Sequence, residues 1–130
     1  MELVHVTRAD EGIGLDGARL AALWQDLGPE MARKVLDRAR TEISARLSEI
    51  AQAEASADMT SVLRAARRLG RVAEHVGMSR IARVSGDVAQ CAVQRDPVAL
   101  SATAARLFRL CERALGRDGA QGYPGWVPLL

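Results

Sequence analysis

A chain of 130 residues, 48% of them apolar, is sized for a single domain around one core. Only 3% of the residues are aromatic, so that core has to be filled with Ala, Val, Leu and Ile, which suits close-packed helices better than a sheet. With 18 basic residues against 16 acidic ones and a formal charge of +2, the bulk charge gives no argument for nucleic acid, and any basic function has to be local.

No stretch approaches the roughly 18–20 unbroken apolar residues of a membrane span. Residues 1–13 lack an apolar run and carry Glu2, Asp10 and Glu11, so they do not read as a signal peptide. The expected compartment is the cytoplasm. Cys91 and Cys111 fall at core-type positions in two helical patterns. If those helices form a hairpin about Asp96, the two cysteines stand about 16 Å apart at 1.5 Å per residue, too far for a disulfide. They read as small core hydrophobes.

In chain order, residues 1–14 show no sustained period and read as an irregular arm, with His5 a solvated terminal histidine. Asp16 is a good N-cap, and Leu20, Leu23, Trp24 and Leu27 follow at helical spacing. Gly28 stops this short helix. Pro29 then sits where a first-turn proline belongs, with Glu30 favourable to the helix dipole. Met31, Val35, Ala39, Ile43, Leu47 and Ile50 recur every three or four residues through a long amphipathic helix. Lys34, Arg38, Glu42, Arg46 and Glu49 take its outer faces. Residues 55–58 break the pattern, and Ser56 or Asp58 caps the next helix.

The stretch 59–77, MTSVLRAARRLGRVAEHVG, divides cleanly at about 100° per residue. Val62, Ala65, Ala66, Leu69, Val72, Ala73 and Val76 gather on one side. Arg64, Arg67, Arg68, Arg71, Glu74 and His75 gather on the other. One face is built for burial, with alanines that let neighbouring helices approach. The opposite face is a ladder of guanidinium groups, ended by Gly77 as a C′ residue.

Met78 and Ser79 restart the chain, and Ile81, Val84, Val88 and Cys91 mark a helix up to about Gln94. Asp96 followed by Pro97 is an N-cap with proline at N1. Leu100, Ala104, Leu107, Phe108, Cys111 and Leu115 form the stripe of the last helix, which Gly116 closes. Residues 117–130 are a Gly/Pro-rich tail whose Tyr123, Trp126, Val127, Leu129 and Leu130 are apolar for a loose end. The tail is expected to fold back over an exposed groove. The division is therefore an arm at 1–14, a helical domain at 15–116 and a tail at 117–130. Four long helices on short connections, behind one short helix, predict an all-α, antiparallel up-and-down four-helix bundle.

Other chemistry finds little support. Two distant histidines and two core cysteines give no metal-ligand spacing, and no cofactor is expected. There is no phosphate-binding Gly-rich loop and no nucleophile elbow. The carboxylates are scattered over outer helical faces, with no pair set for acid–base work. Nucleic acid is an alternative use of the ladder, but no aromatic residue interleaves it.

The helix succession, from GLDGARLAALWQDLG through PEMARKVLDRARTEISARLSEIAQA, the ladder and two further helices, resembles the histidine-containing phosphotransfer (HPt) domains of bacterial phosphorelays. The resemblance spans about residues 15–115. It implies the same antiparallel bundle with an extra N-terminal helix. The family's signature on its third helix is roughly H-x-L-K-G-x-x-x-x-x-G, in which the histidine carries a phosphoryl group. On RRLGRVAEHVG, Leu69 matches the leucine, Ala73 a small position and Gly77 the last glycine. Arg67 stands at the phosphoacceptor position, Gly70 at the lysine and Arg71 at the first glycine.

The resemblance thus implies the scaffold without the chemistry. Guanidinium stays protonated and has no free lone pair, so Arg67 cannot take a phosphoryl group. It can pair with a carboxylate or phosphate through two parallel hydrogen bonds. The implied partner is a response-regulator receiver domain or a histidine kinase, bound without turnover through Arg64, Arg67, Arg68, Gly70 and Arg71. A plain solvated helix face is the competing reading of the same arginines. His75 is the alternative phosphoacceptor. It lies about 12 Å further along and about 80° round from Arg67, where a partner docked as in the family would miss it, so an ordinary solvated histidine is the better reading.

Overall fold

The computed structural model describes residues 17–115, and every regular element among them is an α-helix. These are α1 (Gly17–Ala55), α2 (Met59–His75), α3 (Ser79–Val93) and α4 (Pro97–Leu115). Helix α1 is two helices across a kink at Gly28, where φ is 82° and ψ 161°. Only glycine adopts that backbone at little cost, and Pro29 supplies no N–H to carry the hydrogen-bond ladder through it. The expected short first helix and long second one are therefore arms 17–27 and 29–55 of α1. Across the kink, the Arg33 guanidinium carbon lies 6.0 Å from the centroid of the Trp24 ring, close enough for a cation–π attraction between the arms. The arm 1–14, the Asp16 cap, His5, Gly116 and the tail 117–130 lie outside the described residues.

Three links of three residues each, 56–58, 76–78 and 94–96, join consecutive helices, and all three are built alike. Each has one left-handed residue, Ala57 (φ 56°), Gly77 (φ 82°) and Arg95 (φ 54°). Each carries the same pair of hydrogen bonds. The N–H of Asp58 donates to Ala53 O (2.8 Å) and that of Ala57 to Glu54 O (3.0 Å). Met78 and Gly77 repeat this onto Ala73 and Glu74, and Asp96 and Arg95 onto Cys91 and Ala92. This Schellman arrangement satisfies the last carbonyls of each helix. Glycine marks one of the three; the other two place an ordinary side chain where left-handed backbone costs about 1 kcal/mol or more.

Helix starts differ more than helix ends. Asp58, of the two expected candidates, is the cap of α2: its carboxylate accepts from the Ser61 N–H (3.1 Å) and from the Ser61 hydroxyl (2.7 Å). Those bonds hold the Asp58 carboxyl below its ordinary range. Ser56 instead donates its hydroxyl back to Gln52 O at 3.0 Å. Asp96 caps α4, accepting from the Ala99 N–H at 3.1 Å. Met78 precedes α3 with no side-chain cap bond. It is fully buried and serves the core instead.

Consecutive helices pack on one another, α2 and α3 most extensively, while α1 and α4 meet only slightly. Ile43, Ile50, Leu69, Met78, Ile81, Leu107 and Leu115 are the largest fully buried side chains. The stripe expected on α1 holds at Ala39, Ile43 and Ile50 and is corrected at Met31, Val35 and Leu47. The apolar side chains buried there are Ala32, Leu36, Ala39, Ile43, Ile50 and Ala53. Met31 is 48% exposed, and Val35 and Leu47 are half-buried. Apolar residues stand at both 31/35 and 32/36, so the period fits two phases one residue apart, and packing selects the second. Cys91 and Phe108 likewise sit half-buried at the core margin, while Leu110, Ala89 and Ala92 are buried. Ser85, buried on α3, donates to Ile81 O at 2.8 Å and so leaves no hydroxyl unpaired.

Candidate functional site

The two faces of α2 separate as its sequence requires. Val62, Ala65, Ala66, Leu69 and Ala73 are buried. Arg64, Arg67, Arg68, Arg71, Glu74 and His75 lie on the opposite side and are all exposed there, while Val72 is half-buried. Spacings of three and four residues set Arg64, Arg67/Arg68 and Arg71 about one turn apart, near 5.4 Å along the axis. Among the described residues, none of these four arginines stands within ion-pair distance of a carboxylate; the three pairs present all lie within α1. Arg64 does sit near enough to Asp58 to help hold that carboxyl low, as a minor cause behind the Ser61 bonds.

The helix sets these side chains against different surroundings. Arg64 and Arg68 border a polar cleft toward the end of α1, opposite Glu49 and Gln52 and beside Asp58 and Ser61. Gly70 is half-buried against α3. A Cβ there would lie 3.4 Å from the Ser85 Cβ and 3.6 Å from Ala82 O, an ordinary contact distance. Gly70 therefore sits in the α2–α3 contact, apart from the exposed arginines. His75, the last helical residue of α2, stands toward the other neighbour, where with Met31, Lys34, Val35, Arg38 and Val72 it borders a groove of about 420 Å³ between α1 and α2. Three of these groove residues, Met31, Val35 and Val72, read as core in the sequence, and nothing in their spacing distinguishes lining from burial.

Chemically, the arginine face offers four cations that cannot act as nucleophiles. Bidentate pairing with a planar anion is what such groups do well. The imidazole of His75 is exposed to solvent but belongs to the groove side. Neither cysteine is bonded. Burial pushes the Cys111 thiol up to about 12, which leaves it protonated and inert at neutral pH. Cys91, half-buried, has its sulfur 3.6 Å from the Thr103 hydroxyl. Among the described residues no group of three or more His, Cys, Asp or Glu side chains is placed to hold a metal ion. No helix among them is long and apolar enough to cross a membrane.

No family model matches this chain, and no curated protein or solved structure does.

Proposed function

We propose that this chain is a degenerate HPt-like domain, an antiparallel up-and-down bundle that binds a signalling protein in the cytoplasm and transfers no phosphate. The observation that carries the reading is the exposed Arg67 at the phosphoacceptor position, flanked by Arg64, Arg68 and Arg71 along one side of the helix. A receiver domain presents a cluster of carboxylates that is phosphorylated in use. Forked guanidinium groups on a rigid helix can grip such a pocket through paired hydrogen bonds. With arginine in place of an imidazole there, the contact is a binding event with no covalent step. The short links and the helix order support the antiparallel arrangement, because helices joined by three residues and packed together have to run back along one another.

The test is calorimetric titration of receiver domains, native and carrying a phosphoryl mimic, into the protein. Arg67→Glu abolishes binding and moves stability by no more than about 0.5 kcal/mol, as an exposed substitution does. Unchanged binding would end the docking proposal. A modest salt dependence fits a few paired groups, whereas a steep one points to the nucleic-acid alternative. The exposure of His75 favours one second reading, that of a displaced phosphoacceptor. Incubation with a phosphorylated receiver or kinase decides between them. Acid-labile label that appears on the native chain and vanishes in His75→Ala would make this a working phosphotransfer protein; on the proposed reading no label appears.

A further inference from the structure

The groove between α1 and α2 has an apolar floor and an uneven rim. Met31, Val35, Ala39, Val72 and Val76 make the floor, and Lys34, Arg38, Glu42 and His75 stand round it. Along α1 the lining runs from residue 31 to residue 42, about 16 Å or three turns at 1.5 Å per residue. Val76 and Ala39 are buried at its base, while Met31 stays half exposed at its mouth. The charges on the rim do not cancel. Glu42 already faces a cation of its own helix, with Arg46 Nε at 3.8 Å. Lys34 and Arg38, one turn apart on the same wall, have no carboxylate within ion-pair distance among the described residues.

We propose that this groove seats an amphipathic helix of a partner protein, with apolar side chains on the floor and Asp or Glu side chains along the Lys34 and Arg38 wall. A valley between two helices is where the side-chain ridge of a third packs, and Ala39 lets it come close. The floor side chains offer no hydrogen-bonding group, so an extended segment would leave its own N–H and C=O groups unpaired. A helix satisfies them internally. The length of the groove suits about three turns, with anchors at i, i+3, i+4 and i+7. The cationic wall selects the acidic flank and speeds the encounter. The groove lies beside the arginine face and does not depend on the receiver reading.

The probe is a synthetic amphipathic peptide of about fifteen residues, four turns of helix, with leucines on one face and glutamates flanking them, labelled and titrated with the full chain by fluorescence anisotropy. Its counterpart carries lysine at every glutamate. The glutamate peptide binds and the lysine peptide binds at least about tenfold more weakly, a difference of roughly 1.4 kcal/mol. Met31→Glu, at a half-exposed position that the fold tolerates, weakens the glutamate peptide about tenfold. The double variant Lys34→Glu/Arg38→Glu reverses the preference between the two peptides with an unchanged melting curve. Arg67→Glu leaves peptide binding intact, which separates this site from receiver docking. Equal affinity for both peptides, no binding, or no effect of Met31→Glu overturns the proposal. Light scattering that shows a dimer broken by Met31→Glu assigns the groove to a second copy and overturns it as well. So does peptide binding that appears only after removal of residues 119–130, since the groove then belongs to the chain's own tail.

Discussion

Toward α3, helix α2 presents Ala66, Gly70 and Ala73, three positions on one face. Gly70 there backs onto Ser85 at contact distance. Toward α1 it presents Val72, His75 and Val76, across a groove from Met31 and Val35. Small residues on the first flank let two backbones approach until side chains fill the space between them. On the second flank, α1 turns Ala32 and Leu36 inward, leaving Met31 and Val35 at the side. The same helix thus closes one seam and leaves the other open. The closed seam holds the bundle together, and the open one leaves apolar surface at the disposal of another molecule.

Mutations on the two flanks test that contrast directly. Leu69→Ala removes a fully buried side chain and costs about 2–5 kcal/mol in urea unfolding. Met31→Ala costs less than about 1 kcal/mol, because the methionine is half in water already. Equal losses would mean that the groove is closed in solution. Ala73→Leu overfills the tight seam and destabilises by about 1–3 kcal/mol, whereas Val72→Leu on the open side leaves the melting temperature nearly unchanged.

Two glycines give a finer measure. Gly86, exposed on α3, has only open space within 4 Å of where a Cβ would stand, so Gly86→Ala stabilises by about 1 kcal/mol through helix propensity alone. Gly70→Ala gains about as much, because its new methyl meets the Ser85 Cβ at 3.4 Å, an ordinary contact distance. A loss instead would mean that the α2–α3 seam has no room for a methyl group.

The smallest effect is expected at the polar end of the open flank. Asp58 has its folded pKa held below the usual value of about 3.9. Its contribution to stability is therefore full above that value and is lost as pH falls through the lower folded one. Asp58→Asn keeps an acceptor for the Ser61 N–H but cannot titrate. Its melting temperature should lie slightly below the native one at pH 7 and converge with it in acid; a constant offset across pH would remove the carboxylate from the cap.

Local signals made most of this architecture legible. Gly28 with Pro29, Gly77, and Asp96 with Pro97 mark breaks because each alters what the backbone can do at that point. The two faces of α2 follow from a single unambiguous period. Ala57 and Arg95 gave no warning of left-handed backbone, since neither residue type favours it and the link imposes it from both ends. The phase of α1 was equally hidden. After the kink its apolar residues come in adjacent pairs, Met31/Ala32 and Val35/Leu36, so only the neighbouring helices decide which of each pair goes in, and the groove is the remainder of that decision. Gly70 matched a signature position in sequence, but its setting against Ser85 depends on how α3 rotates.

The three-residue links have a further consequence, for the rate at which the fold forms. They make nearly all helix–helix contacts contacts between neighbours in the chain, and the slight meeting of α1 with α4 is the main exception. Mean sequence separation between touching residues is correspondingly short, and helical chains of that kind fold in microseconds to milliseconds. Closing a three-residue loop costs little entropy, so the α2–α3 pair, with the most extensive seam, is the natural nucleus. Helices α1 and α4 then add to that pair, each able to leave again while the pair persists. Amide exchange should accordingly be slowest around Leu69 and Ile81 and faster toward both ends of the described chain.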